Sequence, residues 1–266
     1  MEISFIKHEK VQKSSCIFMR WLFYRIDLLP TYFLSFKMTE FLNSQMEKLV
    51  LLMLMLATCY ATPKDLSGKV FVFPRETTTD YVKLLTSQTQ FSAVTVCLKF
   101  LTDLKRNVGL FSLATVGHSN DFVLFRMNDV IEVTARDVSV NFLSLPLTPN
   151  TWHSLCSTWS SANGLAQLWL DGKPSIKRFI SEQPITGTPI SILGQEQDSY
   201  GGGFDSDQSF VGVISRMHMW NYALSPAEIK RYVNNGNFSP GNVFNWRALE
   251  YEIYGKVLVD EEPDDM

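Results

Sequence analysis

Short runs in which apolar and polar residues alternate constrain this chain more than anything else in it. Val94-Thr95-Val96-Cys97-Leu98-Lys99-Phe100, Phe122-Val123-Leu124-Phe125 and Ala166-Gln167-Leu168-Trp169-Leu170 are rich in β-branched and aromatic residues. A period of two puts successive side chains on opposite faces, so each run predicts a strand with a buried face. Asp171-Gly172 follows the last run directly, and this pair favours a two-residue hairpin turn because both positions tolerate positive φ. Many short strands between Gly, Pro, Asn and Ser clusters predict an all-β fold, a two-sheet antiparallel jelly-roll sandwich. One segment breaks the pattern: Ser225-Pro226-Ala227-Glu228 reads as a capping box with proline at the first helical position. Ile229, Tyr232 and Val233 then form a narrow apolar stripe, and Asn235-Gly236 ends the helix, which predicts one short helix packed on one face.

Between the later strands lies Gly194-Gln195-Glu196-Gln197-Asp198-Ser199-Tyr200-Gly201-Gly202-Gly203-Phe204-Asp205-Ser206-Asp207-Gln208. Calcium takes six to eight oxygen ligands from carboxylates, amides and main-chain carbonyls, and a glycine-loosened backbone brings such donors together. The spacing is not that of an EF-hand. Taken alone, the loop suits a calcium site and a solvated acidic turn equally.

Upstream, Met46-Glu47-Lys48, the apolar run Leu49 to Leu56, and the small residues Cys59 and Ala61 have the parts of a secretory signal peptide cleaved after Ala61. The apolar run is shorter than the roughly 20 residues that span a bilayer, so secretion is expected and a membrane span is not. Residues 1–45 are expected to be a gene-model extension or a cleaved leader. Residues 62–266 then form one domain ending in an acidic tail, 260–266, expected to be solvated and disordered. The chain carries 24 Lys and Arg against 27 Asp and Glu. No basic cluster is there to neutralise phosphates, which argues against nucleic acid as a partner. Of four cysteines, Cys16 and Cys59 precede the cleavage point. Cys97 and Cys156 remain as one pair bound for an oxidising compartment and are expected to form a disulfide. His118, His153 and His218 lack zinc-ligand spacing.

Trp152-His153-Ser154-Leu155-Cys156-Ser157-Thr158-Trp159-Ser160 resembles the His-x-Cys-x-Ser/Thr-Trp-x-Ser signature of the pentraxins. Glu196-Gln197-Asp198 falls about 40 residues later, where that family keeps its double-calcium loop, and Asn245-Trp246-Arg247-Ala248-Leu249 closes the chain as in the short pentraxins. The resemblance spans Thr62 to Val259. It implies a pentraxin or legume-lectin-like sandwich with the helix on the face opposite calcium. It also implies two calcium ions per subunit, held by Glu196, the main-chain oxygen of Gln197, Asp198, Asp205 and Gln208, with Glu196 and Asp198 bridging. An earlier loop of the family gives an Asp-Asn pair, and Ser119-Asn120 stands there, so Asn120 is kept and Ser119 replaces the carboxylate. Asp121 would compensate if the loop shifted by one residue; without the family, Ser119-Asn120-Asp121 reads as a plain turn. Phe125 aligns with the apolar wall of the family's ligand pocket. The family's choline-facing acid has no counterpart between Asp137 and Asn141.

The function so implied is that of a secreted, calcium-dependent pattern-recognition protein of innate immunity, not an enzyme. It would bind phosphocholine, phosphoethanolamine or carbohydrate on microbes and damaged cells. Its further expected partners are complement and phagocyte receptors, and its expected assembly is a homo-pentamer, whose weak sites add up by avidity. A glycan-active enzyme using Glu196 with Asp198 or Asp205 is the alternative, and a laminin-G-like adhesion module is a third reading of the same fold.

Overall fold

Two compact units divide the chain, Met1–Ala61 and Thr62–Met266. The computed structural model describes residues 62–263 and, before them, Lys48. Apart from that residue, the expected signal segment and the expected extension before it lie outside the described residues, as do the last three of the acidic tail.

The alternating runs form two antiparallel sheets. The first carries, edge to edge, Lys173–Phe179 (β11), Leu165–Leu170 (β10), His153–Ser160 (β9), Ala93–Leu101 (β4), Gly212–Trp220 (β14), Lys69–Phe73 (β1) and Leu258–Glu261 (β17), with Phe244–Asn245 (β15) pairing β14. In the second the order is Tyr251–Tyr254 (β16), Tyr81–Leu84 (β2), Ile190–Leu193 (β13), Asn107–Thr115 (β5), His118–Met127 (β6), Val130–Ala135 (β7) and Val138–Phe142 (β8). Gln90–Phe91 (β3) and Ile185–Thr186 (β12) make a small separate pairing. The core lies between the two sheets: Val94, Val96, Leu98 and Phe100 of β4 meet Phe122 and Leu124 of β6, all fully buried. Fully burying each such side chain contributes about 1.5–3 kcal/mol. The expected hairpin is present. Asp171 and Gly172 both take positive φ, 51° and 76°, and connect Leu170 to its cross-strand partner Lys173.

The helix, Pro226–Val233 (α1), starts on the expected box: the Ser225 hydroxyl accepts from the Glu228 amide, and the Glu228 carboxylate accepts from the Ser225 amide. Its stripe, Ile229 and Tyr232, packs with Trp169, Trp220 and Leu224 over Cys97 and Cys156. Those cysteines face each other across β4 and β9 and are joined by a disulfide, their Cα atoms 4.1 Å apart. The first sheet is thus covered on both faces.

The acidic end differs from the expected disordered tail. Asp260 and Glu261 belong to β17 and pair with Val70 and Lys69 of β1. Glu262, with a side chain 10 % exposed, takes two hydrogen bonds from the Arg216 guanidinium. Backbone pairing to β1 and that ion pair hold a segment whose composition alone reads as solvated.

Candidate calcium and ligand site

Alternation continues past the end of β13 and builds the site. Gln195 and Gln197 turn inward and are buried. The Gln195 amide donates to the Thr77 and Asp80 carbonyls, and its main-chain oxygen accepts from Ser112. The Gln197 amide donates to the Ser112 and Ile190 carbonyls, and its side-chain oxygen accepts from the Gly201 amide. The Gln197 side chain is therefore engaged at both its nitrogen and its oxygen by the protein itself. With the two glutamines anchored, Glu196 and Asp198 turn the other way, together. Burial first, then the charges of Asp198 and Glu132, push the Glu196 carboxyl up to about 7.

Room for this strand end comes from Gly109 of β5. A Cβ there would stand 2.7 Å from the Glu196 nitrogen and 2.8 Å from the Gln195 carbonyl carbon. The loop then doubles back. Ser199 and Gly202 exchange backbone hydrogen bonds, Gly201 and Gly203 take positive φ, and the Tyr200 hydroxyl donates to the Thr188 carbonyl. On the returning arm, Asp205 caps a single 3-10 turn, Ser206–Gln208, by accepting from the Asp207 amide. Arg106 ties that turn down by donating to the Asp207 carbonyl and pairing with Glu76.

At the β5–β6 hairpin, Asn120 donates its amide to Asp137, while its side-chain oxygen is buried without a hydrogen-bond partner. Such an orphaned oxygen costs about 1–3 kcal/mol unless something binds it. Asp121 cannot stand in for the carboxylate missing at Ser119. Fully buried, it accepts from Thr115 and from Arg136, 2.7 Å away, and so faces the interior. Phe125 lies on the outer face of the second sheet, 8 % exposed. It sits directly between Gly109 of β5 and Glu132 of β7 in register.

These features fit a hard cation. Two carboxylates are crowded until one resists ionising, which a dication would relieve, and the unpaired amide oxygen of Asn120 is the kind of donor such an ion takes. Among the described residues no three His, Cys, Asp or Glu side chains form a ready-made metal cluster. The nearness of Glu132 to Glu196 was not legible, because no motif contains Glu132 and only the β6–β7 register places it beside Phe125.

The family model described as "Pentaxin family" matches residues 69–261. The chain belongs to the pentaxin, or pentraxin, family. C-reactive protein of Sus scrofa is 42% identical over 222 residues, covering 80% of this chain and 97% of the relative. Human C-reactive protein is 40% identical with the same coverage, and serum amyloid P-component of Bos taurus is 41% identical over 73% of this chain and 88% of its own length. Among solved structures, a native heptameric SAP-like pentraxin from Limulus polyphemus superposes with a TM-score of 0.66 at 21% identity, covering 74% of this chain and 96% of its own. That likeness speaks for the fold. These relatives are non-enzymatic pentraxins. The signature match carries one departure: His153 stands three residues before Cys156, where the pattern has it two before. His153 is held by Asp171 at 2.9 Å and contacts the Thr148 carbonyl, so it serves the sheet.

Proposed function

We propose that this pentraxin is a secreted pattern-recognition protein of innate immunity that binds phosphorylated head groups or glycans through calcium. The observation that carries the reading is the pairing of Glu196 with Asp198 on one side of an anchored loop, with a carboxyl raised to about 7 by burial and like charge. Two calcium ions per subunit would neutralise that pair. Glu196 and Asp198 would bridge them, and the Gln197 main-chain oxygen, Asp205, Gln208 and Asn120 would complete the shells. Ser119 removes one carboxylate, and since calcium affinity follows ligand charge, the ion beside Asn120 is the weaker. Coordination left open at the ions would take phosphocholine, phosphoethanolamine or sugar hydroxyls, with Phe125 at the side.

Residues 46–61 act in this reading as a signal peptide, so that the mature chain starts at Thr62. The disulfide suits that route. Self-assembly has support at the two edges of the first sheet. Strand β11 offers Lys173, Lys177 and Arg178 with Ile176 and Phe179, both more than half exposed; β17 offers Asp260 and Glu261 with exposed Leu258 and Val259. Opposite charge and shared apolar character on opposite edges suit head-to-tail contacts, which form a ring where the rotation between subunits closes. By family resemblance the ring is a homo-pentamer that displays its ligand sites together and recruits complement and phagocyte receptors.

Chromatography on phosphoethanolamine resin tests the reading. Retention in calcium and release by chelator are expected; retention in excess chelator would contradict it.

A further inference from the structure

Beside the C-terminal end of α1, on the outer face of the first sheet, lies a cavity of about 200 Å³. His218 lines it. It stands two residues before Trp220 on β14 and so shares the face that α1 covers. Tyr232 and Phe238 form an aromatic wall, their rings 5.3 Å apart and each edge-on to His218. Trp246 and Arg247, from the single 3-10 turn Trp246–Ala248, line the cavity too, as do Arg216 and Glu262.

This cavity gathers hydrogen-bond donors that the fold leaves unused. The Gly241 amide donates to His218 Nδ1 at 3.2 Å, so the ring carries its proton on Nε2. Burial, then the charge of Arg247, bring the His218 pKa down to about 3, so the ring stays a neutral donor. The Trp246 indole N–H is buried without a partner, whereas those of Trp159 and Trp220 donate to the Ser181 and Ser239 carbonyls. A buried donor left unpaired is costly until an acceptor reaches it. Arg216 is committed, donating to Glu262 and to the Asn235 side-chain oxygen. Arg247 has no ion-pair partner among the described residues. Its charge is felt at Asp65 and at His218.

We infer that this cavity is a binding site for a small monocarboxylate with an aromatic or short aliphatic body. The carboxylate accepts from His218 Nε2 and pairs with Arg247, and the body lies against Tyr232 and Phe238. One uncommitted cation calls for one negative charge, and Glu262 on the same cavity repels a second. Size agrees, since a cavity of roughly 150 Å³ holds benzene. The site is built on the first sheet and the calcium loop on the second, so the inference does not rest on the calcium reading.

Titration calorimetry of benzoate and its neutral isostere benzamide into the full protein, with and without chelator, tests it. Benzoate should bind equally in calcium and in chelator, and at least about tenfold more tightly than benzamide. Arg247→Gln changes an exposed position and should weaken benzoate about tenfold, about 1.4 kcal/mol, with Tm unchanged. His218→Phe keeps the ring and should abolish the preference for benzoate over benzamide; if that variant does not fold, Arg247→Gln decides. Unchanged benzoate affinity in Arg247→Gln would overturn the inference, as would equal affinity for benzamide or no benzoate binding at millimolar concentration. Loss of benzoate in chelator would put it at the calcium loop and overturn the inference while leaving the calcium reading in place.

Discussion

The two outward faces of this sandwich are built on opposite principles. Over the first sheet, α1 and the Cys97–Cys156 disulfide seal Trp169 and Trp220 away from water, and the Trp220 indole donates to the Ser239 carbonyl. On the outer face of the second sheet, Phe125 and Glu132 lie in one row, and Glu196 and Asp198 crowd like charges at its end. The covered face contributes stability; the open face gives some up where Glu196 and Asp198 crowd, and in the proposed reading a cation restores it. Stability and binding should therefore separate when either face is altered.

The largest effect is expected on the covered face. Replacing Cys97 and Cys156 together by Ala releases a cross-link between residues 59 apart, worth about 4 kcal/mol in the chain-entropy model. Urea unfolding should show that loss, while calcium affinity of the folded protein stays the same. A fall in calcium affinity would mean the faces are coupled.

Gly109→Ala is the counterpart on the open face. The new methyl would meet the backbone of Gln195 and Glu196, and overpacking of this kind costs about 1–3 kcal/mol. Calcium affinity should drop well beyond what the stability change explains, because the loop itself is displaced. Normal calcium binding in Gly109→Ala would show that the loop does not depend on this contact.

Ser225→Ala removes the cap of α1 and should cost about 1 kcal/mol with no change in ligand retention, as read by thermal unfolding and resin binding. Of similar size is a pH effect. The Glu196 carboxyl is raised from 4.5 to about 7, so the folded state holds its proton more tightly than the unfolded chain does. Its contribution is full below about pH 4.5 and is lost as pH rises toward 7. In chelator, wild type should lose about 1 kcal/mol relative to Glu196→Gln across that window, discounted for the part of the side chain still in water. Calcium should abolish the difference. Parallel stability curves for the two proteins would remove the charge-crowding argument.

What was legible in the sequence followed from local rules. Period-two runs, Asp171-Gly172 and the Ser225 to Glu228 box each predict a structure that depends on neighbours in the chain, and each is found. The loop donors were legible as chemistry because Glu196 and Asp198 sit two residues apart. What could not be read depends on partners distant in sequence. Glu132 comes within reach of the Glu196 charge only through the β6–β7 register, Gly109 matters only because the Glu196 backbone passes over it, and Asp121 turns inward only because Arg136 and Thr115 wait there. Likewise Asp260 and Glu261 look like a solvated tail until β1 offers them a backbone edge.

Calorimetric titration of calcium into wild type and Glu196→Gln tests the central claim most directly. The account predicts binding to wild type, with Asn120 and Ser119 marking the weaker ion, and a loss of at least tenfold in Glu196→Gln, because a bridging carboxylate serves both ions. Equal calcium affinity in the two proteins would contradict it.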